Sequence, residues 1–325
     1  MKKAKPAIIL LVKLTVSAGL LVFFFSRIHL ERFWSTFAAA DFSLILLALV
    51  VYLFSQAISA LRWAILSRPL GFATRFKDIV VYYLIGMFFN LFAPGTVGGD
   101  VSRVYYLARD GEREAPQGWA RATLPAAVAV FMDRAVGMVA LVWLGAIGLA
   151  LFPRYQVPAL ARSITFALAL GFVVAAACLP LMRRVLPQDG HPMVVKLRLA
   201  LRSYRTRWRA VPQAMMLSFA IHLIQAWMHL LLGRALRIDI PFSYCLILYP
   251  LVGTFAAIPI SLNGLGLREG AYIVLLGTIG VGPAQGVAFG LLFFLVVALD
   301  SLLGGLAFLL TKGPKPSAGA SADST

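Results

Sequence analysis

Charge is scarce in this 325-residue chain: Asp, Glu, Lys and Arg make up 13% of it, where a water-soluble domain carries about 25%. With 61% apolar residues alongside, that scarcity excludes a soluble globular protein. Only two cysteines occur, Cys178 and Cys245, each inside an apolar run, which excludes a disulfide framework and makes both packing residues. Of the four histidines, His222 and His229 are seven apart and share a helical face, but no third His or Cys lies at ligand spacing. They read as bundle-core histidines, and no metal or cofactor is expected. There is no nucleophile with a matched base and orienting acid, no phosphate-cradling glycine loop, and no soluble stretch large enough for a nucleotide-driven motor. The chain is not expected to be an enzyme.

Acids are scarcer than bases, 13 against 30, for a net charge of +17. In a soluble protein this excess would suggest nucleic acid, but in an apolar chain the positive-inside rule explains it, and no nucleic-acid partner is expected. Several apolar stretches approach the roughly 20 residues that cross a bilayer as helix. Candidate spans are Ala7–Ser26, Phe42–Leu66, Ala122–Leu151, Ile164–Met182, Val211–Gly233 and Gln285–Leu310. Runs such as Phe42–Leu66 and Phe289–Leu310 are apolar on every face, which rejects a β-barrel. Lys13 and the lack of a small-residue cleavage site make the first run an uncleaved helix rather than a signal peptide.

Two further apolar regions are broken. Ile79–Phe92 runs into Pro94, Gly98, Gly99, Asp100 and Arg103, and Phe242–Ile258 runs into Pro259, Gly264, Gly266, Arg268 and Glu269. The expected fold is thus an all-α polytopic membrane protein of about six spanning helices plus two broken or re-entrant helical hairpins. Lys2, Lys3 and Lys5, eight Lys or Arg against one Asp in the loop 183–210, and Lys312 and Lys315 place both termini and that loop in the cytoplasm. The first hairpin then enters from inside and the second from outside. Trp63, Phe76, Pro94, Asp133 and Gly137 recur as Trp227, Phe242, Pro259, Asp300 and Gly304, so halves of about 42–151 and 211–310 form an inverted repeat. Residues 1–311 read as one membrane domain and 312–325 as a disordered tail.

Within the basic loop, Val194, Leu197, Leu201, Tyr204 and Trp208 fall on one helical face and Lys196, Arg198, Arg202, Arg205 and Arg207 around the others. This reads either as an interfacial helix binding anionic phospholipid or as an ordinary topology-setting loop.

Asp100, Arg103, Arg268 and Glu269 would cost on the order of 10–14 kcal/mol if all four stood unpaired at mid-bilayer, so they must be paired, wet or near the surface. If the hairpins meet, they frame a polar cavity in which Arg103 and Arg268 favour an anion and the amides of Gly98, Gly99, Gly264 and Gly266 approach it. The alternative is that these glycines only make tight bends. Asp133 and Arg134 are adjacent and need different partners. Asp133 is expected to pair with Arg103 or Arg268 and Asp300 with the other, as structural ion pairs or as a charge-balancing or proton-relay set with Arg134.

Asn90-Leu91-Phe92-Ala93-Pro94, Gly98-Gly99-Asp100 with Arg103, Asp133-Arg134, and Pro259-Ile260-Ser261 with Asn263 to Gly270 together resemble the transmembrane region of bacterial lysylphosphatidylglycerol synthases, a region that also occurs alone as flippase-like proteins. The resemblance covers about Ile8 to Leu310 and implies lipid translocation in a bacterial inner membrane. It adds Asn90, Pro94, Ser261 and Asn263 to the expected substrate-binding residues. The aminoacyltransferase domain of the two-part synthases is not in this sequence, so lysyl transfer is not implied. Ser261-Leu262-Asn263-Gly264 stands where relatives often have a Pro and an extra Gly. The lipids implied range over phospholipids, polyprenyl-phosphate-linked lipids and hopanoid-type lipids. The rival expectation is a non-transporting membrane scaffold or regulator partnered with a lipid or glycan biosynthetic enzyme.

Overall fold

A computed structural model describes residues 30–92, 98–114, 119–185, 202–258, 264 and 266–311, with isolated positions 15 and 19. The first candidate span, the loop residues 186–201, the tail 312–325, and Pro94, Ser261 and Asn263 lie outside the described residues. The described residues are helical, with no strand among them. In chain order the helices are α1 (Leu30–Ala38), α2 (Phe42–Ser67), α3 (Phe76–Phe92), α4 (Gly98–Glu114), α5 (Trp119–Leu151), α6 (Ala159–Val185), α7 (Ala210–Ala235), α8 (Phe242–Ala256), α9 (Leu267–Gly277) and α10 (Pro283–Leu310).

Five segments are long and apolar enough to cross a membrane: Phe42–Leu70, Ala122–Leu151, Ala159–Cys178, Ala210–Ala235 and Pro283–Leu310. They correspond to five of the six spans read from the sequence. Their outward faces are apolar, with Phe54, Phe131, Leu170, Met216 and Leu309 all exposed, as helices solvated by lipid require. Cys245 is buried as expected, but Cys178 is exposed on α6 because its helix packs on the bundle mainly through α5. It is not a packing residue.

Local chemistry sets the helix ends. Asp41 caps α2, its Oδ1 accepting from the Ser43 and Leu44 amides at 2.9 and 3.3 Å. At the other end Arg68-Pro69-Leu70 tighten into a 3₁₀ turn closed by Gly71 at φ +95°, a backbone that only glycine takes readily. Pro283 opens α10 at the first helical turn, where its missing N–H costs nothing.

Helices α2 and α7 form the central pair and run antiparallel. The start of α2 meets the end of α7 through Asp41 N to Ala235 O at 2.9 Å. The end of α2 meets the approach to α7 through Tyr204 Oη to Leu66 O at 2.7 Å. The next two helices after each member of the pair form a hairpin. In the first, Asn90 lies beside Gly99 near the bend, and Tyr82 stacks on Tyr106 at 4.9 Å farther down. In the second, Gly264 abuts Ala256 near the bend and Tyr244 bonds Leu275 and Thr278 farther down. The ends of α3 and α4 nearest the first bend and the ends of α8 and α9 nearest the second line a common cavity. The first hairpin is clamped from the side by α10, where Gly304 lies directly against the Leu84 carbonyl and leaves no room for a Cβ.

Candidate functional site

Among the helices of the two hairpins and α2, α5, α7 and α10 lies a cavity of about 460 Å³, within the range of small-molecule sites. The first hairpin contributes Asn90, Leu91 and Arg103, and the second contributes Ala256, Ala257 and Arg268. Polar side chains, four of them arginines, share its lining with apolar ones, in a bundle whose outward faces are apolar.

Asp133 of α5 organises them. Its Oδ1 accepts from Arg62 Nε at 2.8 Å and its Oδ2 from Arg103 Nη2 at 2.7 Å. All three side chains are at most 8% exposed, so the carboxylate is the counter-ion that makes burial of two guanidinium groups tolerable. Arg62 is further held by Ser218 of α7 at 3.0 Å. Arg103 lies against both the Trp63 and Tyr83 rings, its guanidinium carbon 4.3 and 4.5 Å from their centroids. Arg134, one residue on from Asp133 and therefore on a different face, makes a forked pair with Asp100 at 2.9 to 3.1 Å. Arg103 Nη1 also lies 3.9 Å from Asp100. The result is a chain of alternating sign, Arg62, Asp133, Arg103, Asp100 and Arg134, that runs from the buried interior to a pair 47% and 26% exposed at Arg134 and Asp100.

Arg268, in the first turn of α9, reaches the cavity from the other hairpin and lies over the Phe293 and Phe294 rings at 5.2 and 6.0 Å. Arg62, Arg103, Arg134 and Arg268 thus line the cavity together with one carboxylate, Asp133. Two buried polar atoms here, Arg103 Nε and Gln225 Oε1, have no hydrogen-bond partner among the described residues.

Of the residues expected from the sequence, Asn90, Arg103, Asp133, Arg134 and Arg268 line the cavity. Asp100 stands behind it as the partner of Arg134. The glycines are otherwise employed. The Gly99 amide is already taken by Asn90 Oδ1 at 3.1 Å, and a Cβ there would strike the Gly86 carbonyl, while Gly98 opens α4. Gly264 and Gly266 take φ of +75° and +84°, and the Gly266 amide donates to Glu269 Oε2 at 2.6 Å. Glu269 is fully buried, its carboxylate accepting the Gly266 amide that precedes α9, and it does not line the cavity.

The expected pairing of Asp300 does not form. Asp133 takes Arg62 and Arg103, and Asp300 has no cationic partner among the described residues, its Oδ2 being buried without a hydrogen bond. The reason is register: Arg268 rests on Phe293, two helical turns from Asp300, about 10 Å along α10. His222 bonds Tyr249 and the Gly137 carbonyl at 2.9 Å, and His229 bonds Tyr272 and the Gln225 carbonyl at 2.8 Å, so both are satisfied within the bundle. His222 nonetheless faces the cavity.

Sequence reasoning missed Tyr52, Gln56, Ser59 and Arg62, which form one face of α2 and line a wall of the cavity. Their spacing of four, three and three residues is the signal that would have found them.

Residues 10–304 match the family described as the lysylphosphatidylglycerol synthase TM region. The chain is also similar to a UPF0104 membrane protein of Methanocaldococcus jannaschii, 28% identical over 121 residues. That alignment covers 35% of each protein, so it spans about a third of the length of this curated relative. With the match to the family running over most of the sequence and five bilayer-length helices in the fold, the chain is a multi-pass membrane protein belonging to the lysylphosphatidylglycerol synthase TM region family.

Proposed function

We propose that this protein moves lipids with an anionic, phosphate-bearing headgroup across a bacterial inner membrane, the headgroup passing through the cavity that both hairpins line. The observation that carries the reading is the excess of arginine on that cavity, with Arg103 presented by one hairpin and Arg268 by the other. A phosphate meets charge-assisted donors on both sides while the acyl chains stay in lipid. Asn90, Gln56, Ser59, Gln225 and His222 supply neutral contacts to the rest of the headgroup. Asp133 fixes two of the arginines, and Asp100 holds Arg134 at the rim.

In this reading the hairpins are re-entrant, since the 11 residues of α9 extend only about 16 Å, half of a hydrocarbon core. The halves 42–151 and 211–310 are an inverted repeat, which is how many secondary transporters place a site at mid-membrane. Both termini and the basic loop face the cytoplasm, and translocation, not chemistry on the lipid, is the activity.

The test is reconstitution of the full chain in liposomes with headgroup-labelled lipids, following loss of leaflet asymmetry. Anionic phospholipids should move and Arg268→Gln should slow them about tenfold or more, the worth of one charge-assisted contact. Correctly inserted protein that moves no lipid in the presence of a proton gradient would overturn the reading in favour of a scaffold for a lipid or glycan biosynthetic enzyme.

A further inference from the structure

A second cavity, of about 400 Å³, lies where α2 ends and α7 begins, and shares no lining residue with the first. Its walls are Ile65, Arg68 and Pro69 from one side and Thr206 to Ala210 with Gln213 from the other. Three arginines, Arg68, Arg207 and Arg209, share this lining, and none has an acidic partner among the described residues. The place is built rather than incidental. Arg207 Nη1 donates to the Arg68 carbonyl at 2.8 Å, and the buried Tyr204 hydroxyl donates to the Leu66 carbonyl, so the 202–209 segment is fastened to the end of α2. Like charges gathered this way repel unless an anion sits among them.

The surroundings say which anion. Trp208 is 64% exposed beside Arg209, whose guanidinium lies 5.6 Å from its ring, the pairing of aromatic and base found at the membrane–water boundary. One helical turn from the lining residues Ile65 and Gln213, the outward face becomes apolar and exposed through Leu61 and Met216, and continues through Phe54 and Leu223. An anion whose headgroup fills the cavity therefore has an apolar path for its chains along the seam of α2 and α7.

We infer that this cavity is a binding site for one anionic phospholipid, held by its phosphodiester on Arg68, Arg207 and Arg209 with its acyl chains laid over Leu61 and Met216. It is separate from the translocation cavity and does not rest on the translocation reading. Bound there, the lipid fastens the end of α2 to the start of α7.

The experiment uses the full chain in nanodiscs of phosphatidylcholine, with or without a minority of phosphatidylglycerol, reading thermal unfolding and the lipid retained in native mass spectrometry. Phosphatidylglycerol should raise the unfolding temperature and one molecule should stay bound. Arg68→Gln with Arg209→Gln, which leaves the Arg207 tether intact, should weaken retention about thirtyfold, two basic side chains at about 1 kcal/mol each. The same double variant should unfold like the parent in pure phosphatidylcholine, which separates lost binding from lost folding. Arg75→Gln, at an exposed arginine already paired with Asp78, should change nothing. Equal retention of the two lipids, equal retention by parent and double variant, or a stabilisation reproduced by inorganic phosphate alone would each overturn the assignment.

Discussion

Asp133 accepts Arg103 Nη2 at 2.7 Å, and this contact joins a long membrane helix to the returning arm of the first hairpin. With Arg62 on the other oxygen, one carboxylate neutralises two buried cations. Asp133→Asn removes that counter-ion and leaves both guanidinium groups in a low-dielectric interior. The expected loss is about 3–5 kcal/mol of stability, against less than about 1 kcal/mol for Asp300→Asn, which breaks no ion pair. Thermal unfolding of the two variants in the same nanodiscs decides the matter, and comparable losses would contradict the pairing described.

The fit of α10 against the first hairpin predicts a sharp distinction among glycines. Gly304→Ala would drive a Cβ into the Leu84 carbonyl, a backbone atom that cannot swing aside, and should cost about 1–3 kcal/mol. Gly171→Ala, in α6 with nothing within 4 Å of the added carbon, should be neutral or slightly stabilising through helix propensity. Melting curves showing the reverse order would rule out this packing.

The Asp41 cap has a pH signature. Hydrogen bonds from the Ser43 side chain and the Leu44 amide hold its carboxyl below the usual carboxylate range. A depressed folded value means the cap stabilises above the unfolded value of about 3.9, and that its contribution is lost as pH falls through the folded value. Asp41→Ala should therefore unfold at lower temperature than the parent at neutral pH, with the gap closing in acid. A pH-independent gap would mean the carboxylate is not the source of the stabilisation.

The two cysteines should report on folding. In detergent, a maleimide should modify the exposed Cys178 at once and reach Cys245 only as the protein unfolds. Labelling of a Cys178→Ser variant during heating then follows unfolding directly. Rapid modification of Cys245 in that variant at low temperature would show that the packing of α8 is wrong.

What the sequence made legible was whatever stands out against an apolar background. Bilayer-length runs gave five helices to within a few residues, and Pro and Gly marked both hairpins. Arg103 and Asp133 were conspicuous because a charge inside such a run must find a partner. Arg62 lay near the end of a span, where an arginine is unremarkable, and only the polar row below it, Tyr52, Gln56 and Ser59, places it inward. Asp300 was matched by its sequence spacing from Asp133 to a partner it does not have, because no arginine of the described residues stands within reach of it as Arg62 and Arg103 stand beside Asp133. The glycines of both bends were conspicuous too, yet their amides serve the chain itself: Asn90 and Glu269 reach back to them, contacts that depend on hairpin geometry and leave no periodic trace. Trp208 was grouped with Tyr204 on one helical face, but the helix ends at Thr206 and the turn that follows carries Trp208 outward.

The antiparallel course of α2 and α7 has an electrostatic corollary. Each helix is a macrodipole equivalent to about half a charge of either sign at its ends, and here opposite ends lie side by side at both faces of the bundle. Their fields cancel to first order along the whole pair. The backbone therefore contributes little sign of its own, either where the hairpins converge or where α2 hands over to α7. At both places the potential that an arriving anion feels is written by side chains, and it falls with each exposed arginine changed to glutamine.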